Sequence, residues 1–173
     1  MLTAAWTIVA LVLGAGPAAG HSDVIANTIA ISRVRTESPD VRRLLEDTAA
    51  RSPTVRTLLA RLAQTDTIVY VEFTPSPQVP TARTKLVTTA SGARFLRIGI
   101  NVNAAFADRG PWLGHELKHA LEIAEERGVR DENDVRELYH RIGRSHGLDQ
   151  FETDGARNVE WAVRTELRIK MGG

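Results

Sequence analysis

The sequence predicts an α+β domain in which a small, mainly antiparallel sheet packs on one long helix, with further helices before and after. Three observations predict it. Residues 113–124 carry apolar side chains at helical spacing around His115-Glu116-Leu117-Lys118-His119. Residues 67–101 hold β-branched and alternating runs punctuated by Pro and Gly. Ser-Pro pairs at 38–39 and 52–53 each open an apolar-periodic stretch, as helix starts do.

Size and composition narrow the function classes. A chain of 173 residues supports one core and is short for two. The net charge is +1, with arginines interleaved among acids, which argues against a nucleic-acid binder that works by counterion release. There is no cysteine, so disulfides, thiolate metal sites and a cysteine nucleophile are excluded. Residues 2–13 are almost unbroken apolar sequence, too short for a comfortable membrane span, and Gly14-Ala-Gly-Pro-Ala-Ala-Gly20 follows. Ala18-x-Gly20 suits signal-peptidase cleavage before His21. The expectation is a signal peptide at 1–20 and one domain at 21–173, secreted or held in the periplasm or cell envelope, without stable membrane association. The amino-terminal region lacks Lys and Arg, and an uncleaved anchor is the competing reading.

The elements follow in order. Residues 22–36 mix apolar and polar side chains and take no assignment; the helices expected within 22–66 begin after them. Ser38 is the N-cap of a helix with Pro39 at its first position and Val41, Leu44, Leu45 and Ala49 on its apolar face. Ser52-Pro53 repeats the pattern, with Val55, Leu58, Leu59 and Leu62 continuing to about Ala63. The sheet is expected within 67–102: residues 68–73, stopped by Pro75, Pro77 and Pro80, then 85–89 and 93–101 joined by a hairpin at Ser91-Gly92. In the last strand Leu96, Ile98 and Ile100 face one way while Phe95, Arg97, Gly99 and Asn101 face the other. A loop at 103–110 leads to Pro111, taken as the first residue of a helix at 111–127 that Gly128 stops. A more polar helix at 131–143, a loop at 144–150 and a final helix at 151–170 complete the chain.

The chemistry lies in the helix at 111–127. His115 and His119 are four residues apart, so both imidazoles lie on one face, a turn apart, and reach one metal ion. Glu116 is rotated roughly 100° from His115, which directs it toward water at such an ion and away from the ion itself. The bland alternative is a solvated face with two ordinarily hydrogen-bonded histidines. A catalytic zinc site needs a third protein ligand. Glu122 shares the stripe but lies about 10 Å along the axis from His115, which suits an arginine partner or an outer role. Glu152 continues the stripe of Ala156, Val159 and Val163, and a carboxylate on a buried stripe needs a cation. Its rival role is a capping box with Asp149. Asp154 either orients a metal-bound histidine from outside or is a first-turn acid, and Gly155 permits a close helix approach.

His115-Glu116-Leu117-Lys118-His119, followed by Glu152-Thr153-Asp154 at the start of a later helix, resembles the gluzincin branch of the zincin metallopeptidases. The resemblance covers roughly residues 67–170. It implies a zincin-like fold in which His115, His119 and Glu152 hold Zn²⁺, Glu116 is the general base, and an edge strand of the preceding sheet binds substrate in extended form. More narrowly, residues 113–124 resemble small secreted bacterial proteins of unassigned function that carry the same motif. On this reading Glu116 takes a proton from water and later delivers it to the leaving amine. Tyr139, His140 and His146 are the candidate donors to the oxyanion, His146 the preferred one. The expectation is a secreted zinc peptidase acting on peptide or protein substrates; the alternative is a zincin-fold zinc-binding protein of the cell envelope with little turnover. Glu116 separates the two, because a purely structural site needs no base beside its histidines.

Overall fold

Two serine caps organise the amino-terminal layer. Ser38 Oγ accepts from Val41 N and Ser52 Oγ from Val55 N, each followed by proline in the first turn. The helices α1 (Pro39–Arg51) and α2 (Pro53–Leu62) result, close to their expected bounds. Val41, Leu45 and Ala49 from α1 and Val55, Leu58, Leu59 and Leu62 from α2 are buried in the common core. The computed structural model describes residues 33–75, 81–90, 93–145 and 151–169. The expected leader at 1–20, the hairpin residues Ser91 and Gly92, and His146 lie outside the described residues.

The sheet is mixed where a mainly antiparallel one was expected. Its strands β1 (Val34–Arg35), β2 (Thr67–Thr74), β3 (Ala82–Ala90) and β4 (Ala93–Asn101) stand in the order β1-β2-β4-β3. β3 and β4 form the expected antiparallel hairpin, with Ala90 opposite Ala93. The other pairings, β4 with β2 and β2 with β1, are parallel. A two-residue turn dictates only the pair it joins; the neighbour on the far edge of β4 is a nonlocal choice. Leu96, Ile98 and Ile100 of β4 are fully buried, so this strand takes a central place and leaves β3 at an edge.

The long helix α3 (Phe106–Glu125) begins five residues before Pro111, which therefore lies inside it and is not its first residue. Arg109 secures the extra turn. Its guanidinium donates to Val102 O at 2.6 Å and Ala104 O at 3.2 Å and covers the rings of Phe73 and Phe106. The other end is held by Arg94, fully buried at the start of β4, which donates to Ile123 O, Ala124 O and Glu126 O at 2.6–2.8 Å and to Asp66. These are carbonyls that a helix C-terminus leaves without partners.

After α3 come α4 (Glu132–Ile142), a two-stranded ribbon of β5 (Arg144–Ser145) with β6 (Phe151–Glu152), and α5 (Asp154–Ile169). The last helix starts later than expected because Phe151 and Glu152 pair with β5 and Thr153 Oγ1 then accepts from Ala156 N at 3.0 Å. α5 closes directly on α3: a Cβ on Gly114 would stand 2.7 Å from Val163 Cγ2, and one on Gly155 would stand 3.0 Å from Glu122 Oε1. The close approach expected at Gly155 is thus present. Among the described residues no helix is long and apolar enough to cross a membrane.

Candidate metal centre

Three elements meet at one point. α3 supplies His115 and His119, 4% and 6% exposed, with ring centroids 4.8 Å apart. β6 supplies Glu152, whose Oε1 lies 3.7 Å from His115 Nε2. One donor atom from each of the three residues falls within 4.8 Å of the other two. Tetrahedral zinc with bonds of about 2.1 Å asks for donor separations of about 3.4 Å, so a small inward movement of side chains suffices. At 3.7 Å the nitrogen and carboxylate are too far apart for a hydrogen bond and well placed to share an ion.

Glu152 reaches the histidines by a route different from the expected helical stripe. It sits in β6, before α5 begins, with its main-chain oxygen against Gly143. A Cβ on Gly143 would stand 2.9 Å from Glu152 O, so the absence of a side chain there lets α4 end against β6. Phe151 stacks on Tyr139 with centroids 5.4 Å apart, fixing the ribbon to α4. The capping-box role does not hold, because Thr153 caps α5 and Glu152 precedes the helix. Glu152 Oε1 instead accepts from Thr153 N at 2.9 Å.

Each imidazole has an outer carboxylate. His119 Nδ1 lies 3.1 Å from Glu122 Oε2 and 3.2 Å from the Tyr139 hydroxyl, which donates to His119 O at 3.3 Å. A proton on Nδ1 would be accepted by Glu122 and would leave the Nε2 lone pair for the centre. His115 Nδ1 is buried without a hydrogen bond and faces Glu160 Oε2 at 3.5 Å. Lys118 Nζ, at 2.9 Å, balances Glu122; Arg164, at 3.0 Å, balances Glu160. Burial disfavours protonation of His119, but the Glu122 hydrogen bond and the surrounding carboxylates outweigh it and raise its pKa. For His115, burial and the neighbouring His119 prevail, and the pKa falls. Burial, with three carboxylates nearby, pushes the Tyr139 hydroxyl well above its usual pKa, so it stays a neutral donor.

Glu116 points toward β3, as its rotation along the helix requires. It is 4% exposed, and Thr84 Oγ1 lies 2.7 Å from its Oε2 and 3.1 Å from its main-chain oxygen. Burial raises the pKa of this carboxyl against the opposing pull of His119, Thr84 and Arg83. A carboxylate so placed binds a proton more readily than one in water, which is what a general base needs.

The residues fit a divalent ion. Two imidazole nitrogens and one carboxylate oxygen match the donor set of open catalytic zinc sites, and also suit other first-row divalent ions. Among the oxyanion candidates, Tyr139 spends its hydroxyl on His119, His140 is exposed and edge-on to Phe151, and His146 lies outside the described residues. Asp154 is exposed and faces Arg144 at 3.5 Å, so it plays no outer role toward a histidine; Glu122 and Glu160 stand there instead. Glu160, Thr84 and Thr153 escaped sequence reasoning because they reach the centre only through packing between elements. Comparison with protein-family models, with curated proteins and with solved structures finds no match for this chain.

Proposed function

We propose that this chain is a secreted zinc-dependent metallopeptidase of zincin-like fold that hydrolyses peptide bonds. The observation that carries the proposal is the convergence of His115, His119 and Glu152 donor atoms within 4.8 Å beside a buried Glu116. Zinc held by those three residues would supply Lewis acidity toward a scissile carbonyl and would acidify water at its open position. The remaining chemistry belongs to the chain. Glu116, fixed by Thr84, receives the proton from the attacking water and returns it to the leaving amine. Glu122 holds His119 by its Nδ1, and Glu160 faces Nδ1 of His115 from the same outer side. β3, at the sheet edge and carrying Thr84 next to Glu116, offers backbone groups for an extended substrate to pair with. The apolar run at 2–13 with its small-residue end supports export, placing substrates in or beyond the cell envelope.

The test is metal analysis joined to turnover. Purified protein should carry about one zinc per chain and cleave members of a diverse peptide library. Chelation should stop cleavage and zinc should restore it. Stoichiometric zinc without any cleavage across the library would leave a zinc-binding protein and remove the peptidase.

A further inference from the structure

Glu122 has two oxygens with different tasks. Oε2 faces Nδ1 of His119 at 3.1 Å, and Oε1 accepts from Thr153 Oγ1 at 2.9 Å. Thr153 directly follows Glu152 and donates its backbone N–H to that residue's carboxylate at 2.9 Å. An unbroken hydrogen-bonded chain thus runs from one proposed ligand on α3, through Glu122 and Thr153, to the other on β6. It is buried: Thr153 is 3% exposed and the Glu122 side chain 7%. Nothing about helix capping demands it, since the cap on α5 uses only the acceptor capacity of Thr153 Oγ1, toward Ala156 N. The hydroxyl proton is left over, and it goes to Glu122.

We propose that Glu122 and Thr153 are positioning residues that act as one unit, setting the orientation of His119 and the docking of Glu152 together, so that the metal site forms only when β6 is seated on α3. The proposal rests on the metal-binding reading. It assigns to the Thr153 hydroxyl a role at the centre although Thr153 supplies no ligand. Outer partners of metal-bound groups typically contribute roughly 10–100-fold to affinity.

The experiment is a double-mutant cycle read in metal affinity of the full chain, using chelator competition for Zn²⁺ and the absorption spectrum of the Co²⁺ form. Glu122→Gln keeps the side-chain volume but removes the charge and one of the two acceptor oxygens, so it can accept from His119 or from Thr153 but no longer from each through its own oxygen. Glu122→Gln and Thr153→Val should each weaken Zn²⁺ binding by roughly 10–100-fold and shift the Co²⁺ spectrum. Thr153→Val should weaken it no further in the Glu122→Gln background, although its loss of the α5 cap should lower thermal stability in both. Thr153→Ser should restore affinity and spectrum. Additive losses of affinity, or parental affinity in Thr153→Val, overturn the proposal. Should Thr153→Val fail to fold, parental affinity and spectrum in Glu122→Gln alone overturn it. A parent protein that binds neither ion overturns this proposal and the metal reading together, whereas a parent that binds zinc with additive losses overturns only the joint action of the pair.

Discussion

Replacing Glu116 by Gln should separate catalysis, metal binding and stability into three different responses. The carboxylate is 4% exposed and does not belong to the donor cluster of His115, His119 and Glu152, so zinc content should not change. Thr84 Oγ1, 2.7 Å from Glu116 Oε2, can donate to an amide oxygen as it does to the carboxylate, preserving about 0.5–1.5 kcal/mol. Loss of the base should lower the cleavage rate by roughly 10²–10⁴, or about 2.7–5.4 kcal/mol of barrier. Stability should move the other way. In the metal-free protein burial raises the folded pKa of Glu116 above the ordinary value of 4.5. Between the two values the folded state holds more protons than the unfolded state. Its stability therefore falls as pH rises from the unfolded pKa through the folded one, and stays low above it. The amide that Glu116→Gln introduces has no proton to lose, so the metal-free variant should escape that decline and be the more stable protein at neutral pH. Urea unfolding of chelator-stripped parent and variant from about pH 5 to about pH 8 measures the difference directly. A variant that loses zinc would place Glu116 among the ligands. A metal-free variant less stable than the parent by more than about 1 kcal/mol at neutral pH would show that the charge is better satisfied than its burial implies.

Four further outcomes follow from the same geometry. Glu152→Ala should lose tight zinc binding while keeping the helix content of the parent, measured by metal analysis and far-ultraviolet circular dichroism; full zinc retention would move the third ligand elsewhere. Arg94→Met should cost about 3–5 kcal/mol in urea unfolding, because it strands the carbonyls of Ile123, Ala124 and Glu126 and leaves Asp66 without its main partner. Asp66 resists protonation: burial opposes ionisation, but Arg94 and Arg130 outweigh it and lower the folded pKa below 3.8. The stability this contributes is present above the unfolded pKa and lost as pH falls through the folded one, so acid unfolding curves of Asp66→Asn should be flatter in that range. Gly114→Ala should destabilise by about 1–3 kcal/mol, since its Cβ would meet Val163 Cγ2 at 2.7 Å and force α5 off α3.

Local chemistry was legible in the sequence, and partner choice was not. α1 and α2 could be bounded to a residue or so because Ser38-Pro39 and Ser52-Pro53 carry their own cap and first-turn signals. The faces of β4 followed from alternation, and the same parity put Arg94 among Leu96, Ile98 and Ile100; a buried arginine there was foreseeable, though not the helix end it serves. The parallel pairing of β2 with β4 depends on contacts that no turn encodes. Glu152 was picked out by a helical stripe, yet it belongs to a two-residue strand, too short for any periodicity to reveal. Glu122 lies too far along α3 from His115 to share an ion with it, and its three-residue spacing from His119 puts it beside His119 Nδ1. Glu160 carries no signal of its own: it reaches His115 only because α5 packs on α3 in one particular register.

The charges around the centre support the proposed cation. Four carboxylates, Glu116, Glu122, Glu152 and Glu160, surround two buried imidazoles. Lys118 and Arg164 answer Glu122 and Glu160, the two that stand behind the rings. Glu152 stands in front, facing the histidines. Protonating both rings would bring two positive charges together at a centroid separation of 4.8 Å, a repulsion that adds to the burial already lowering the His115 pKa. On the proposed reading, a divalent ion held by Glu152 and the two rings would supply both positive charges at once and use the ring nitrogens that face away from Glu122 and Glu160. Binding of such an ion would then compete with protonation of His119, so occupancy of the proposed centre and the acidity of the solution would be linked through a residue whose outer partner is Glu122.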